Sequence, residues 1–313
     1  MRRVLPAFVL VAAALAACGG ADDETPTATL ALDFQPNAVH AGIYAAVREG
    51  LDERHGIDLR VRVPAASTDS LKLLAADRAD VAVVDIHDLG LARERGSDLV
   101  GVGALVQRPL AAVIAREGIE RPRDLEGRRV GVTGLPSDEA VLRAAVEADG
   151  GDYARVRRVT IGFSAVPSLV AGSVDAVVSF WNAEGVTLRR RGLETEEFRV
   201  DDYGAPRYPE LVLVTTTDTL RERRALVEDL LAALADGTRV ALADRDAAVG
   251  ELARASGADE PLVRAQLAAV APALRPPVTL DRHALEGWAG FDARFGILGR
   301  RPDVDRAFPP LTP

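Results

Sequence analysis

Short β-branched runs alternate with helical patterns from Thr29 to Ser179, and the order of the first half recurs in the second. Residues 30–32, 59–63, 81–84 and 100–105 read as strands, with helices over 40–53, 70–76 and 89–95 between them. Parallel strands need a crossover, usually a helix, so this alternation predicts βαβ units around a largely parallel sheet. The second pass runs strand 130–132, helix 137–148, strand 156–161, helix 166–171 and strand 176–179. Ser137 is placed to cap its helix, with Asp138 and Glu139 favourably set in the first turn. Two local echoes point to a duplicated plan. Leu30-Ala31-Leu32-Asp33-Phe34-Gln35-Pro36-Asn37 has the layout of Val130-Gly131-Val132-Thr133-Gly134-Leu135-Pro136-Ser137, and residues 74–84 parallel residues 169–179.

The fold expected is therefore α/β, with two βα sheet lobes. An apolar strand over 110–115 leaves the first lobe and another over 211–215 returns to it. The C-terminal third is helical, since Leu226, Val227, Leu230, Leu231 and Leu234 keep the 3.6-residue period, and it is expected to pack on the first lobe. This divides the chain into 29–110 (lobe 1), 111–211 (lobe 2) and 212–313 (lobe 1 again). Two lobes joined by two extended crossings form a hinge, with a ligand cleft between them.

Arg2 and Arg3 precede an apolar run over 4–17, and Leu15-Ala16-Ala17 leads into Cys18, the chain's single cysteine. A basic start, an apolar stretch and small residues before the cut mark a signal peptide over 1–17. The run is shorter than the roughly 20 residues that a spanning helix needs. Cysteine at the cut itself predicts lipidation of Cys18. Two or three acyl chains, at about 0.8 kcal/mol per buried CH₂, anchor stably. Residues 18–28 then read as an acidic tether, and the domain works on the extracytoplasmic face of a bacterial membrane, touching it through the lipid alone. A formal net charge of −9 without a basic block excludes nucleic acid as a partner. The four histidines lack HxH or HExxH spacing, so no metal is expected. GxSxG and SxxK are absent as well, and no cofactor or enzymatic activity is expected.

Ligands of open parallel sheets bind beyond the carboxyl ends of the strands. Those ends carry Asp33, Phe34, Pro36 and Asn37, then residues 65–68 with Ser67, then Asp85 and His87, and Gln107. From the second lobe come Gly134, Leu135 and Ser137, then Phe180, Trp181, Asn182 and Glu184. Aromatics, amides and carboxylates dominate, with His40 and His87 the only basic residues. Such a set suits a flat, hydrogen-bonding, neutral or mildly basic heterocycle better than an anion. Asn37, His40 and Tyr44 fall on one helical face if the helix is continuous. Asn37 can equally be an N-cap, His40 a satisfied histidine, Asp85 an N-cap and Trp181 a core residue. Glu184 can accept from an exocyclic amine while aromatic faces hold the ring. Trp288 reads as core.

Four motifs stand in order: Asp33-Phe34-x-Pro36-Asn37-x-x-His40-x-Gly42-x-Tyr44, then Gln107-Arg108-Pro109, then Asp124-Leu125-x-Gly127-Arg128-Arg129-Val130-Gly131-Val132, and last Trp181-Asn182-x-Glu184-Gly185. Over roughly residues 30–215 they resemble the thiamine-pyrimidine precursor family, of the two-lobed periplasmic-binding-protein type II. Its bacterial members are lipid-anchored binding proteins of ABC importers for formylaminopyrimidine or hydroxymethylpyrimidine, its fungal members synthesise the pyrimidine, and close relatives bind riboflavin. The resemblance implies a permease and an ATPase as partners, a monomeric binding protein, and Trp181 as a stacking platform. Because both sets follow strand carboxyl ends in separate lobes, Trp181, Asn182 and Glu184 are expected across the cleft from Phe34, Asn37, His40 and Tyr44. Phe34 stands where many relatives carry tryptophan, and Asp85-Ile86-His87-Asp88 lies outside the family motifs. The synthase branch relies on a cysteine-rich motif that this chain lacks. Riboflavin, another flat heterocycle, or a sensor role beside a membrane partner are the alternatives.

Overall fold

The computed structural model describes residues 25–65, 69–134, 136–162 and 164–311. Cys18 and Ser67 lie outside the described residues. The first lobe begins with β1 (Thr27–Ala31), α1 (Ala41–Arg48), α2 (Leu51–Arg54), β2 (Asp58–Arg62), α3 (Asp69–Ala75), β3 (Val81–Asp85), α4 (Ile86–Glu94) and β4 (Leu99–Ala104). The second lobe has β5 (Ala111–Arg116), β6 (Arg129–Val132), α5 (Pro136–Ala148), β7 (Arg157–Thr160), α6 (Ala165–Val170), β8 (Ala176–Phe180), α7 (Val186–Arg190) and β9 (Thr195–Arg199). After β10 (Leu211–Thr216) come α8 (Thr217–Glu222), α9 (Arg224–Ala243), α10 (Arg245–Ser256), α11 (Glu260–Val270), α12 (Arg282–Phe295) and α13 (Val304–Ala307).

Two five-stranded sheets result, in the orders β2-β1-β3-β10-β4 and β7-β6-β8-β5-β9. The orders correspond strand for strand, and the echoed segments occupy equivalent places, β1 with β6 and α3–β3 with α6–β8. Each sheet is largely parallel, as expected, with one strand running against the other four. β10 runs antiparallel to β3 and β4, and β5 antiparallel to β8 and β9. Each is the strand that arrives from the other lobe, so it enters its sheet from the opposite end. β9, of sequence TEEFR, escaped the sequence reading because a charged edge strand shows no apolar alternation. β3 and β4 are buried almost throughout, as strands covered by helices on both faces must be.

The crossings, β4 to β5 and β9 to β10, are hydrogen-bonded to each other. Leu105 and Val106 donate to the Leu211 carbonyl at 2.8 and 3.2 Å, and the Glu210 N–H donates to Val106 O at 3.1 Å. The C-terminal helices do not keep to the first lobe. α11 packs beside α7 as well as the first lobe, and α12 lies against α5, where Arg143 donates to the Phe295 carbonyl at 3.2 Å. An apolar helix period tells that a helix is buried on one side, but not which lobe buries it.

Candidate functional site

A cavity of about 320 Å³ lies between the sheets. Its first wall is the β1–α1 loop with the start of α3 and α4. Its second is the start of α5 and the turn after β8, with Glu210 and Ala111 of the crossings at the base and Gln266 of α11 at the rim.

Asn37 organises the first wall. Its Oδ1 accepts the Val39 N–H at 3.1 Å and its Nδ2 donates to Gln35 O at 3.0 Å, so it caps a 3₁₀ turn over Ala38–His40. His40 Nδ1 accepts the Asn37 N–H at 3.2 Å, which puts the ring proton on Nε2, donated to Asp33 Oδ1 at 2.7 Å. Asp33 lines the cavity, and fully buried His40 does not. The continuous helical face expected for Asn37, His40 and Tyr44 fails because α1 starts only at Ala41, after a turn of different pitch. Tyr44 packs instead on the first-lobe core, close to Glu251 of α10. Phe34, 40% exposed, presents its ring to the cavity mouth.

On the second wall the chain after β8 opens into a π-helical turn, Trp181–Gly185. Glu184 reaches back to accept the Phe180 N–H at 3.1 Å, and burial raises its carboxyl above the usual range. Asn182 is 1% exposed and its Oδ1 has no partner among the described residues, although the residue lines the cavity. Trp181 points away. Its Nε1 donates to Pro109 O at 3.0 Å, its N–H donates to Leu110 O at 3.1 Å, and the Arg199 guanidinium lies over its ring at 4.2 Å. The tryptophan therefore clamps the first crossing and is closed to a ligand, which corrects its expected role as a platform. Gln107 is likewise committed, its Nε2 lying 2.8–3.2 Å from the carbonyls of Ala104, Pro276 and Thr279, which share its two N–H donors. Gly134 has φ +100° and stands outside the lining. That conformation, easy only for glycine, turns the N–H groups of Thr133 and Gly134 onto Asp138, with the Thr133 bond at 2.6 Å. Ser137 lies inside the first turn of α5 and does not cap it, because the helix begins at Pro136.

The base is strongly acidic. Asp85 caps α4 through the His87 N–H at 2.8 Å and also faces the cavity. Burial would depress the His87 imidazole, but Asp292 at 2.6 Å from Nδ1 lifts it to about 10, and the Tyr208 hydroxyl sits 3.2 Å from Nε2. Burial pushes Glu210 up to about 8 while its Oε2 accepts the Leu110 N–H at 2.7 Å. Burial and the neighbouring Asp85 carboxylate push Asp88 to about 7.

Of the residues chosen from sequence, Phe34, Asn37, Asp85, Asn182 and Glu184 share this cavity, whereas His40, Tyr44, Gln107, Gly134 and Trp181 do not. Asp88, Asp138, Glu210 and Gln266 line it without having been chosen. Asp138 reads as an ordinary first-turn acid, Asp88 stands just ahead of the helix read over 89–95, and nothing local to Glu210 or Gln266 signals a site.

The sequence pattern of the NMT1/THI5-like family matches residues 37–248. The formylaminopyrimidine-binding protein of Halalkalibacterium halodurans is 36% identical over 204 residues, covering 64% of this chain and 62% of that protein. A putative thiamine biosynthesis protein of Haemophilus influenzae is 31% identical over 202 residues, 63% of each chain. The aligned region thus spans less than two thirds of either relative. In architecture the chain is similar to the periplasmic aliphatic sulphonate binding protein of Escherichia coli, with TM-score 0.75 at 16% identity over 91% of this chain and 98% of that one.

Proposed function

The chain belongs to the NMT1/THI5-like family, and from that premise we propose that it is an extracytoplasmic solute-binding protein that captures a thiamine-precursor pyrimidine for an ABC importer. The observation that carries this reading is the chemistry of the cavity wall. Asp33, Asp85, Asp88, Asp138, Glu184 and Glu210 all face it, and among the described residues no Arg or Lys does. An aminopyrimidine donates hydrogen bonds from its exocyclic amine and offers flat faces to Phe34, so acceptors suit it. A sulfonate, by contrast, requires donors and positive charge, so the likeness to a sulphonate binder is one of fold. The relative named for formylaminopyrimidine supports the same ligand class.

In this reading Phe34 stacks on the ring, while Glu184, Asn182 and Asp85 accept from its edge and Asn37 holds the first wall in place. Lobes 29–110 with 212–313, and 111–211, close over the ligand about the two crossings. Cys18 carries the lipid, a permease and an ATPase receive the cargo, and the binding protein acts as a monomer. The deciding experiment is the mass of any small molecule released on denaturing the purified protein, followed by thermal melts with formylaminopyrimidine and hydroxymethylpyrimidine. A pyrimidine released, and stabilisation by one of the two, is the expected result. Stabilisation by sulfonates or sugars alone overturns the reading. Cys18→Ala should move the protein from the membrane to the soluble fraction, and sedimentation unchanged would refute the anchor.

A further inference from the structure

Two side chains reach from one lobe to a backbone carbonyl of the other. The first is Gln266. Val263, Leu267 and Val270 turn one face of α11 into the core, and α11 packs on α10, which packs on α1 of the first lobe. Gln266, on a neighbouring face, lines the cavity and donates from Nε2 to the Ala183 carbonyl at 3.4 Å. Ala183 sits in the π-helical turn of the second lobe, where the Thr187 hydroxyl shares its carbonyl at 2.8 Å. The second is Arg143 of α5, which donates to the carbonyl of Phe295, the last residue of α12, at 3.2 Å. Trp288 ties α12 to the first lobe, lying against Gly90 of α4 and edge-on to Phe308. The two bonds flank the sheets on opposite sides. The apolar cluster of α11 includes Ala112 and Ile114 of β5, that of α12 includes Val113 and Ala115, and alternate residues of a strand point to opposite faces. Gln266 and Phe295 both stand beyond residue 248, where the family pattern ends.

Building on the solute-binding reading above, we propose that Gln266 and Arg143 are paired clasps that hold the lobes closed and so set how long a ligand is retained. Both are positioning residues. Donor and acceptor of each bond belong to different lobes, so each bond exists only while the lobes are together. A bond made in the closed form alone shifts the open–closed equilibrium toward it. A ligand enclosed between the lobes leaves only when they part, so the clasps act on release and leave capture by the open form unchanged. With one clasp on each side of the sheets, the lobes are held against twisting as well as against parting. Arg143 stands outside the cavity lining, so its effect on a ligand passes through closure alone.

Stopped-flow binding of formylaminopyrimidine and hydroxymethylpyrimidine, with small-angle scattering of the ligand-free protein, tests this. Gln266→Ala and Arg143→Met should each speed release about 3- to 10-fold, the ratio expected for one lost hydrogen bond, and change association by less than about 2-fold. The double variant should have a larger radius of gyration than the parent without ligand. Gln266→Glu keeps an acceptor toward the cavity but sets a carboxylate against the Ala183 carbonyl, so it should release ligand as fast as Gln266→Ala. Arg143→Lys keeps a donor and a cation beside Tyr153, and should release ligand more slowly than Arg143→Met. Gln266→Glu retaining ligand like the parent would make Gln266 a ligand contact and overturn the clasp. Unchanged release in Arg143→Met, or an unchanged radius in the double variant, overturns the pair. Each of these failures leaves the pyrimidine reading standing. If neither pyrimidine binds while the radius still grows, the clasps stand and the pyrimidine reading falls.

Discussion

Trp181 and Glu184 are three residues apart in one π-helical turn, and the turn sends them in opposite directions. Glu184 faces the cavity, so Glu184→Ala removes a charge-assisted acceptor from the ligand. If the proposed function holds, affinity for the pyrimidine should fall roughly 10- to 100-fold by calorimetry. Trp181 is a buried clamp, and its loss costs the hydrogen bond to Pro109 and leaves a void beneath Arg199. Trp181→Ala should therefore lower stability by about 3 to 5 kcal/mol in denaturant melts. Trp288, fully buried and edge-on to Phe308 at 5.7 Å, should behave alike. If Trp181→Ala melted like the parent yet lost its ligand, the clamp role would be wrong.

Among the elements, the seam between α1 and α9 explains a motif position that carries no chemistry. A Cβ on Gly42 would collide with Thr238, and one on Gly237 would collide with the Gly42 carbonyl and come within 2.8 Å of the Ala46 nitrogen. The two helices thus approach backbone to backbone, which fixes α1 and the Asn37–His40 turn ahead of it. Gly237→Ala forces the helices apart and should cost about 1 to 3 kcal/mol, read as a lower melting midpoint. His40 belongs to the same scale. It orients Asp33 and ties the turn shut, and so shapes the first wall without entering it.

For the molecule as a whole, the buried acids make stability depend on pH. Glu210 moves from 4.5 unfolded to about 8 folded, and Asp88 from 3.8 to about 7. The folded state then binds protons more tightly than the unfolded one. Their contribution is complete below the unfolded values and is lost as pH rises through the folded ones. His87, raised to about 10, acts with the same sign at higher pH. The ligand-free protein should melt at falling temperatures between about pH 5 and 8, and Glu210→Gln, which still accepts the Leu110 N–H, should flatten that slope. A slope of the opposite sign would show that Glu210 is ionised where it is buried. Ligand acts at this scale too. A compound at 100 times its Kd should add about 2.7 kcal/mol by binding the folded, closed form, and melts with graded pyrimidine concentrations measure it.

The sequence by itself determined the elements and their order. β-branched runs and 3.6-residue periods are local signals, and the echo between residues 30–37 and 130–137 places β1 and β6 alike in their sheets. It also located the strand ends, and so found Phe34, Asn37, Asp85, Asn182 and Glu184. Tertiary structure alone decided which side chains meet. Periodicity cannot reveal that a 3₁₀ turn shifts the phase of α1, that a π turn aims Trp181 at Pro109, or that α11 and α12 straddle both lobes. Nor can it show that Asp88 and Asp138, two ordinary first-turn acids some fifty residues apart in sequence, face one cavity with Glu210 of the crossing. Direction across a cleft is set by packing between distant segments, and no short stretch of chain encodes it.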